Sequence, residues 1–174
     1  MQVMTMPAAA SEEDETIRAA MDGDRSAFGE LYVRYARMVH AILLARVPPR
    51  DAEDLVQDVF MSAMRQLRGL RAAASFKGWL GAIARNRAID YHRESREQVP
   101  LEDVPPSKQM GDDAFLVMGA IRDLPEAYRE TLIMRLVEGM TGPEIAERTG
   151  LTPESVRVNL CRGMKMLRER LESK

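Results

Sequence analysis

The sequence predicts an all-α protein built as two small helical domains joined by an acidic, flexible linker. Three observations predict it. Apolar residues recur at steps of three and four along most of the chain, which is one face of a helix. Apolar residues make up 45% of the 174 residues and aromatics only 5%. Alanine, leucine, methionine, arginine and glutamate dominate, a mix that favours helices over strands. Finally, the period fails over 98–113, where Pro100, Pro105, Pro106 and Gly111 fall, with Glu102, Asp103, Asp112 and Asp113 set against Lys108. The chain is therefore read as a disordered leader over 1–13, a helical unit over 14–97, the linker over 98–113 and a second helical unit over 114–174.

Each element has a local reason. A short helix over Asp14–Met21 stops at Gly23, a suitable residue just past a helix end. Phe28, Leu31, Tyr32, Tyr35, Val39, Ile42, Leu43 and Val47 mark the inner face of a second helix, which Pro48-Pro49 ends. A third follows Asp51, with Leu55, Val56, Val59, Phe60, Ala63, Met64 and Leu67 inward, until Gly69 breaks it. After a short loop over 68–74, a fourth helix spans about 76–96, with Ser75 at its N-cap position. In the second unit, helices are expected near 114–123 and 126–138, separated by Leu124-Pro125. Thr141-Gly142-Pro143-Glu144 is a capping box that opens a short helix closing at Gly150. Thr152-Pro153 opens the last helix, which runs to about Leu171.

Composition narrows the function. The formal net charge is −2 with 30% charged residues, so any nucleic-acid binding must come from local charge rather than the total. One cysteine, Cys161, leaves no disulfide pair within the chain, and a reducing, cytoplasmic compartment is the expectation. No apolar run approaches the roughly 20 residues that cross a membrane, and residues 1–10 lack the pattern of a secretory signal. No glycine-rich phosphate loop or catalytic triad context is found, so an enzyme is not expected. His40, His92 and Cys161 have no metal-ligand spacing. His40 is placed on a helix surface, and no cofactor is expected.

Three constellations carry chemistry. Residues 141–171 have the spacing of a helix-turn-helix, with a tight turn around Gly150. On the wheel of its second helix, Val156, Leu160, Gly163, Leu167 and Leu171 fall inward. Ser155, Val158, Arg162 and Lys165 fall outward, and Arg157 and Asn159 lie at the edges. Arginine and lysine there suit guanine edges or phosphates, and asparagine suits adenine. An ordinary helical hairpin with a solvated basic face fits the same spacing.

The second constellation is the fourth helix. Phe76, Trp79, Leu80, Ile83 and Tyr91 point inward, Arg85, His92 and Arg96 share the opposite side, and Arg93 is adjacent. Residues 71–97 hold six basic against three acidic residues. A basic stripe of this kind fits phosphate contacts, and equally a solvated surface. Arg87 is assigned to a structural pair with Asp90. The third constellation is acidic. Asp51, Glu53, Asp54, Gln57 and Asp58 crowd the start of the third helix, which suits a helix N-terminus or a protein-binding face that would repel DNA.

Taken together, these segments resemble the extracytoplasmic-function (ECF) sigma factors of the sigma-70 family. Asp24–Tyr35 (DRSAFGELYVRY) resembles the opening of the family's region 2, and Asp51–Leu67 (DAEDLVQDVFMSAMRQL) its core-polymerase-binding segment. Phe76–Arg93 (FKGWLGAIARNRAIDYHR) resembles the segment that melts and reads the −10 promoter element. Leu124–Leu136 (LPEAYRETLIMRL) and Glu138–Gly150 resemble the start of region 4, and Val156–Lys165 stands where the −35 recognition helix lies.

The resemblance implies that Asp51, Asp54, Gln57 and Asp58 bind core RNA polymerase. It implies that Arg85, Asn86, His92, Arg93 and Arg96 meet −10 DNA, and that the loop 68–75 holds an extruded base. It assigns Ser155, Arg157, Val158, Asn159, Arg162 and Lys165 to −35 DNA. It implies control by an anti-sigma factor, and the free chain is expected to be a monomer. Asn159 and Met164 stand where the family usually has arginine, and Gly163 where alanine is usual. A stand-alone helix-turn-helix regulator is the competing reading. The acidic third helix beside a basic fourth one, rather than a dimerisation module, argues for the sigma factor.

Overall fold

The computed structural model describes residues 11–95 and 112–173. Eight α-helices follow in order among these residues, and no strand. The first domain holds α1 (Glu12–Met21), α2 (Arg25–Leu44), α3 (Pro49–Gln66) and α4 (Phe76–Ser95). The second holds α5 (Asp112–Arg122), α6 (Glu126–Leu136), α7 (Gly142–Thr149) and α8 (Pro153–Glu172). Asp112 and Asp113, read from the sequence as the end of the linker, are already helical. The rest of that expected linker and the leader lie outside the described residues, Ser11 onward excepted.

Local chemistry starts and stops these helices. Ser11 caps α1 by accepting from Asp14 N at 3.2 Å. Asp24 caps α2, accepting from Ser26 N at 2.8 Å and Ala27 N at 3.2 Å. The turn between them requires φ +103° at Gly23, which favours glycine. Pro49 opens α3, where its missing N–H costs nothing. Ser75 does not stand alone as a cap: Ala73–Ser75 forms a 3₁₀ turn that runs directly into α4.

Helices α2, α3 and α4 pack together around Leu31, Val39, Ile42, Val59, Phe60, Phe76 and Leu80, all 3% exposed or less. Each such side chain contributes about 1.5–3 kcal/mol by leaving water. His40 belongs to this buried set at 7% exposure, so the sequence placement of it on the surface is corrected. Burial lowers its pKa, against a smaller opposing pull from Glu53.

The core does not end at the domain boundary. Met118, Ala120, Ile121, Leu124, Leu132, Ile133 and Leu167 of the second domain join the first domain's apolar cluster. The end of α2 and the turn after it explain this. Every residue from Ala41 to Val47, Arg46 included, is buried. A helix end that is apolar all round needs cover on every side, and the second domain supplies part of it. A smaller cluster of Met134, Ile145, Ala146 and Val156 holds α7 and α8 together.

Candidate nucleic-acid interface

The second domain presents a helix-turn-helix whose joints are fixed by its own sequence. Thr141 accepts from Glu144 N at 3.5 Å, and Thr141 N donates to Glu144 Oε2 at 2.7 Å, completing the capping box. Those hydrogen bonds hold the Glu144 carboxyl below its usual range. Gly150 ends α7 at φ +71°. Thr152 then caps α8 by accepting from Ser155 N at 3.2 Å. The capping residues set the angle at which α8 leaves the turn, and so which side chains face out.

On α8, Val156, Gly163 and Leu167 are buried and Leu160 is half-buried. Arg157, Val158, Arg162 and Lys165 are exposed, Asn159 and Ser155 half-buried. Ser155 is drawn into the cap, where its Oγ accepts from Thr152 Oγ1 at 3.0 Å. Lys165 has only a loose partner, Glu169 at 3.9 Å. Two arginines and a lysine thus lie along the outer side of α8, with Asn159 at its edge, a set of side chains of the kind that suits a major groove. Gly163 has a packing reason. A Cβ there would lie 3.1 Å from Leu132 Cδ1 and 3.2 Å from Tyr128 Cβ. The missing methyl lets α8 sit close on α6.

In the first domain, α4 divides its candidates. Asn86, His92 and Arg93 are exposed, and Arg93 meets Asp90 at 3.4 Å. His92 Nε2 lies 2.7 Å from the carbonyl of Arg46, which ties its ring to the end of α2. Arg96 lies outside the described residues. Arg85 does not face solvent. Its guanidinium forms an ion pair with Glu138 of the second domain, and their side chains are 12% and 1% exposed. The expected Arg87–Asp90 pair is replaced: Arg87 Nε donates to Asp58 Oδ2 at 3.0 Å and its Nη1 to Glu94 at 3.3 Å. Arg87 reaches across to α3 because both helices turn these faces to one groove, and Asp90 is taken by Arg93.

The acidic face of α3 keeps Asp54, Gln57 and Asp58 exposed. Asp51 is half-buried and accepts a hydrogen bond from Tyr91 Oη. Burial, and then this bond to Asp51, raises the Tyr91 pKa. The domain contact contains partners that sequence reasoning missed: Glu138 against Arg85, Glu130 against Arg46, and Arg148, whose Nη1 donates to the Gly78 carbonyl at 2.9 Å. They lie 53, 84 and 70 residues apart in the chain, beyond any local pattern.

Residues 31–98 match the family described as sigma-70 region 2, and residues 114–167 match sigma-70 region 4. The chain is 30% identical to the ECF RNA polymerase sigma factor SigM of Mycobacterium tuberculosis over 88% of its own length and 81% of SigM. The chain belongs to the ECF sigma factors of the sigma-70 family. It is thus a transcription initiation factor and not an enzyme. Its two regions correspond to the two helical domains described above.

Solved structures share the sigma-factor fold. The structure of CnrH in complex with the cytosolic domain of CnrY is 24% identical, with a TM-score of 0.68, covering 93% of this chain and 98% of CnrH. The sigma factor RpoE of Bartonella quintana, in complex with the anti-sigma factor NepR, is 22% identical with a TM-score of 0.65, covering 83% of this chain and 96% of RpoE. Among the described residues of this ECF sigma factor, no helix is long and apolar enough to cross a membrane, and no group of side chains has the makings of a metal site.

Proposed function

We propose that this ECF sigma factor binds core RNA polymerase and directs initiation at its own set of promoters from within the cytoplasm. In this reading the first domain, over 14–97, docks on the polymerase through Asp51, Asp54, Gln57 and Asp58. It reads −10 DNA with Arg85, Asn86, His92, Arg93 and Arg96. The second domain, from α5 onward, reads the −35 element with Ser155, Arg157, Val158, Asn159, Arg162 and Lys165, and the linker that precedes α5 spans the polymerase between them. An anti-sigma factor holds the chain inactive, by likeness to RpoE of Bartonella quintana in complex with NepR.

One observation carries the reading. An exposed acidic face on α3 and a basic, aromatic-backed α4 are bolted together in one small domain, ahead of a helix-turn-helix. A repressor has no use for the acidic face, because acid beside a DNA-reading helix weakens phosphate binding. A polymerase subunit uses both: one surface for protein, the other for DNA. The test is co-elution of the purified chain with bacterial core polymerase on gel filtration. A stoichiometric complex supports the reading, and a chain that elutes alone at micromolar concentration contradicts it.

A further inference from the structure

Three arginines converge where the rest of the described chain does not answer them. A groove of about 310 Å³ lies between the α1–α2 turn and the C-terminal end of α3. Arg25, Arg65 and Arg68 line it, along with Phe28 and Met64. All three arginines are exposed, and none has a hydrogen bond or an ion pair among the described residues. The carboxylate in the lining is Asp24, whose Oδ1 already accepts from Ser26 N and Ala27 N. Phe28 is half-buried and backed edge-on by the Phe60 ring at 6.3 Å, while Met64 is 48% exposed. Gly23 gives Arg68 its place: a Cβ there would lie 3.3 Å from Arg68 Nη2.

Helix electrostatics explain only part of this set. Arg65 lies in the last turn of α3 and Arg68 just past it, where cations are favoured. Arg25 is the first residue of α2, whose first turn carries no acid. A cation there opposes the helix dipole, so no helix-end effect accounts for it. Yet the α1–α2 turn sets it beside two further guanidinium groups. Guanidinium forks match phosphate oxygens, and an aromatic ring beside them offers a base its π-face. Those are the two halves of one nucleotide.

We propose that this groove is a nucleotide site for single-stranded DNA: Arg25, Arg65 and Arg68 hold the phosphates, and Phe28 with Met64 receives a base. The groove shares only Arg68 with the loop 68–75, and none of the residues assigned above to −10 or −35 DNA lines it. It holds a nucleotide of the melted strand that those assignments leave without a partner. Its identification with promoter DNA rests on the sigma-factor reading above; the arginine and aromatic geometry does not.

The test uses the full chain in complex with bacterial core polymerase, on a promoter selected by run-off transcription and prepared with a melted bubble. Iodinated deoxyuridine is placed at each bubble position of the non-template strand in turn, and the crosslinks formed under ultraviolet light are mapped by mass spectrometry. One position should label the peptide that holds Phe28 or the one that holds Met64. Arg25→Gln and Arg68→Gln, both at exposed side chains, should each lose most of that label. Each should also reduce the slope of log affinity against log salt by about 0.7, the value for one phosphate of a single strand. Arg37→Gln removes an exposed cation of the same helix outside the groove, and should change neither.

No label in those peptides, or a label that survives both variants, overturns the site. Equal labelling by free iodinated deoxyuridine monophosphate at the same concentration makes it a mononucleotide pocket and overturns the strand assignment. Weaker assembly of the arginine variants with core polymerase in the absence of DNA, read by gel filtration, makes the groove a protein contact and overturns the proposal as well. Run-off transcription by the wild type separates these failures from that of the sigma reading. Initiation without the label removes the groove site alone, whereas no initiation removes the sigma reading and the promoter strand with it.

Discussion

Tyr91 Oη on α4 donates a 2.6 Å hydrogen bond to Asp51 Oδ2 on α3. The bond ties α4, the helix proposed to face DNA, to α3, the helix proposed to face polymerase, and Arg87 to Asp58 repeats the tie seven residues further along α3. The two surfaces are therefore fixed relative to one another by side chains drawn from both. Tyr91→Phe removes the hydroxyl and leaves Asp51 half-buried without that donor. A hydrogen bond to a charged, partly exposed group is worth about 1 kcal/mol, so the melting midpoint should fall by about 2–4 °C. Calorimetry checks it. A variant as stable as wild type would show that the tie carries no stability.

Gly163 is a second place where packing and local preference oppose each other. Alanine would gain about 1 kcal/mol in helix propensity. Its methyl would meet Leu132, which is fully buried, and Tyr128 Cβ, which is fixed to the backbone of α6. Overpacking of this kind costs about 1–3 kcal/mol. Gly163→Ala should therefore be destabilised on the order of 1 kcal/mol, read as a lower urea midpoint at unchanged slope. A stabilised variant would mean that α8 moves away from α6 freely.

His40 gives the fold a pH dependence of known sign. Its folded pKa lies below the ordinary 6.5 because burial disfavours the charged form. The unfolded chain then binds a proton that the folded chain refuses. Stability is fully present above the unfolded pKa and is lost as pH falls from there toward the folded value. The melting temperature should drop as pH is lowered through the mid-sixes, and His40→Gln should flatten that part of the curve. An identical slope in the variant would place the titration elsewhere.

On α8, the exposed cations and the edge residues should separate by salt dependence. If α8 binds −35 DNA as proposed, removing Arg162 or Lys165 takes away a phosphate partner and should reduce the slope of log affinity against log salt by about one for each. Arg157→Ala or Asn159→Ala should instead cost about 1–3 kcal/mol at the preferred −35 sequence and little elsewhere. Binding of the full chain with core polymerase to duplexes matched and mismatched at −35 checks both. Equal salt slopes across the four variants would contradict the division.

Much of this was legible in the sequence because it is local. The helix-turn-helix is written in Thr141, Glu144, Gly150, Thr152 and Pro153, each acting within four residues of its partner. The inner face of α8 follows from a helical period that the packing keeps. Burial of His40 was not legible. It stands on α2 at a position where the apolar run Ala41–Ala45 begins, and only the docking of neighbouring helices decides which side of a continuous apolar run is covered. The fate of Arg85 was hidden for a related reason. Its partner Glu138 lies in the other domain, and a charge on a helix face reads alike whether water, DNA or a distant carboxylate meets it. Arg87 was assigned to its sequence neighbour Asp90 by spacing, but Asp58 on α3 competes at 3.0 Å and wins.

The measurement that bears most directly on the central claim is run-off transcription with purified bacterial core polymerase on a pooled promoter library, with and without this protein. The account predicts specific start sites that depend on the protein and disappear in the double variant Asp54→Lys, Gln57→Lys, both exposed on α3 and outside the Arg87–Asp58 ion pair. No specific initiation, alongside tight binding of the protein alone to a palindromic duplex, would contradict it.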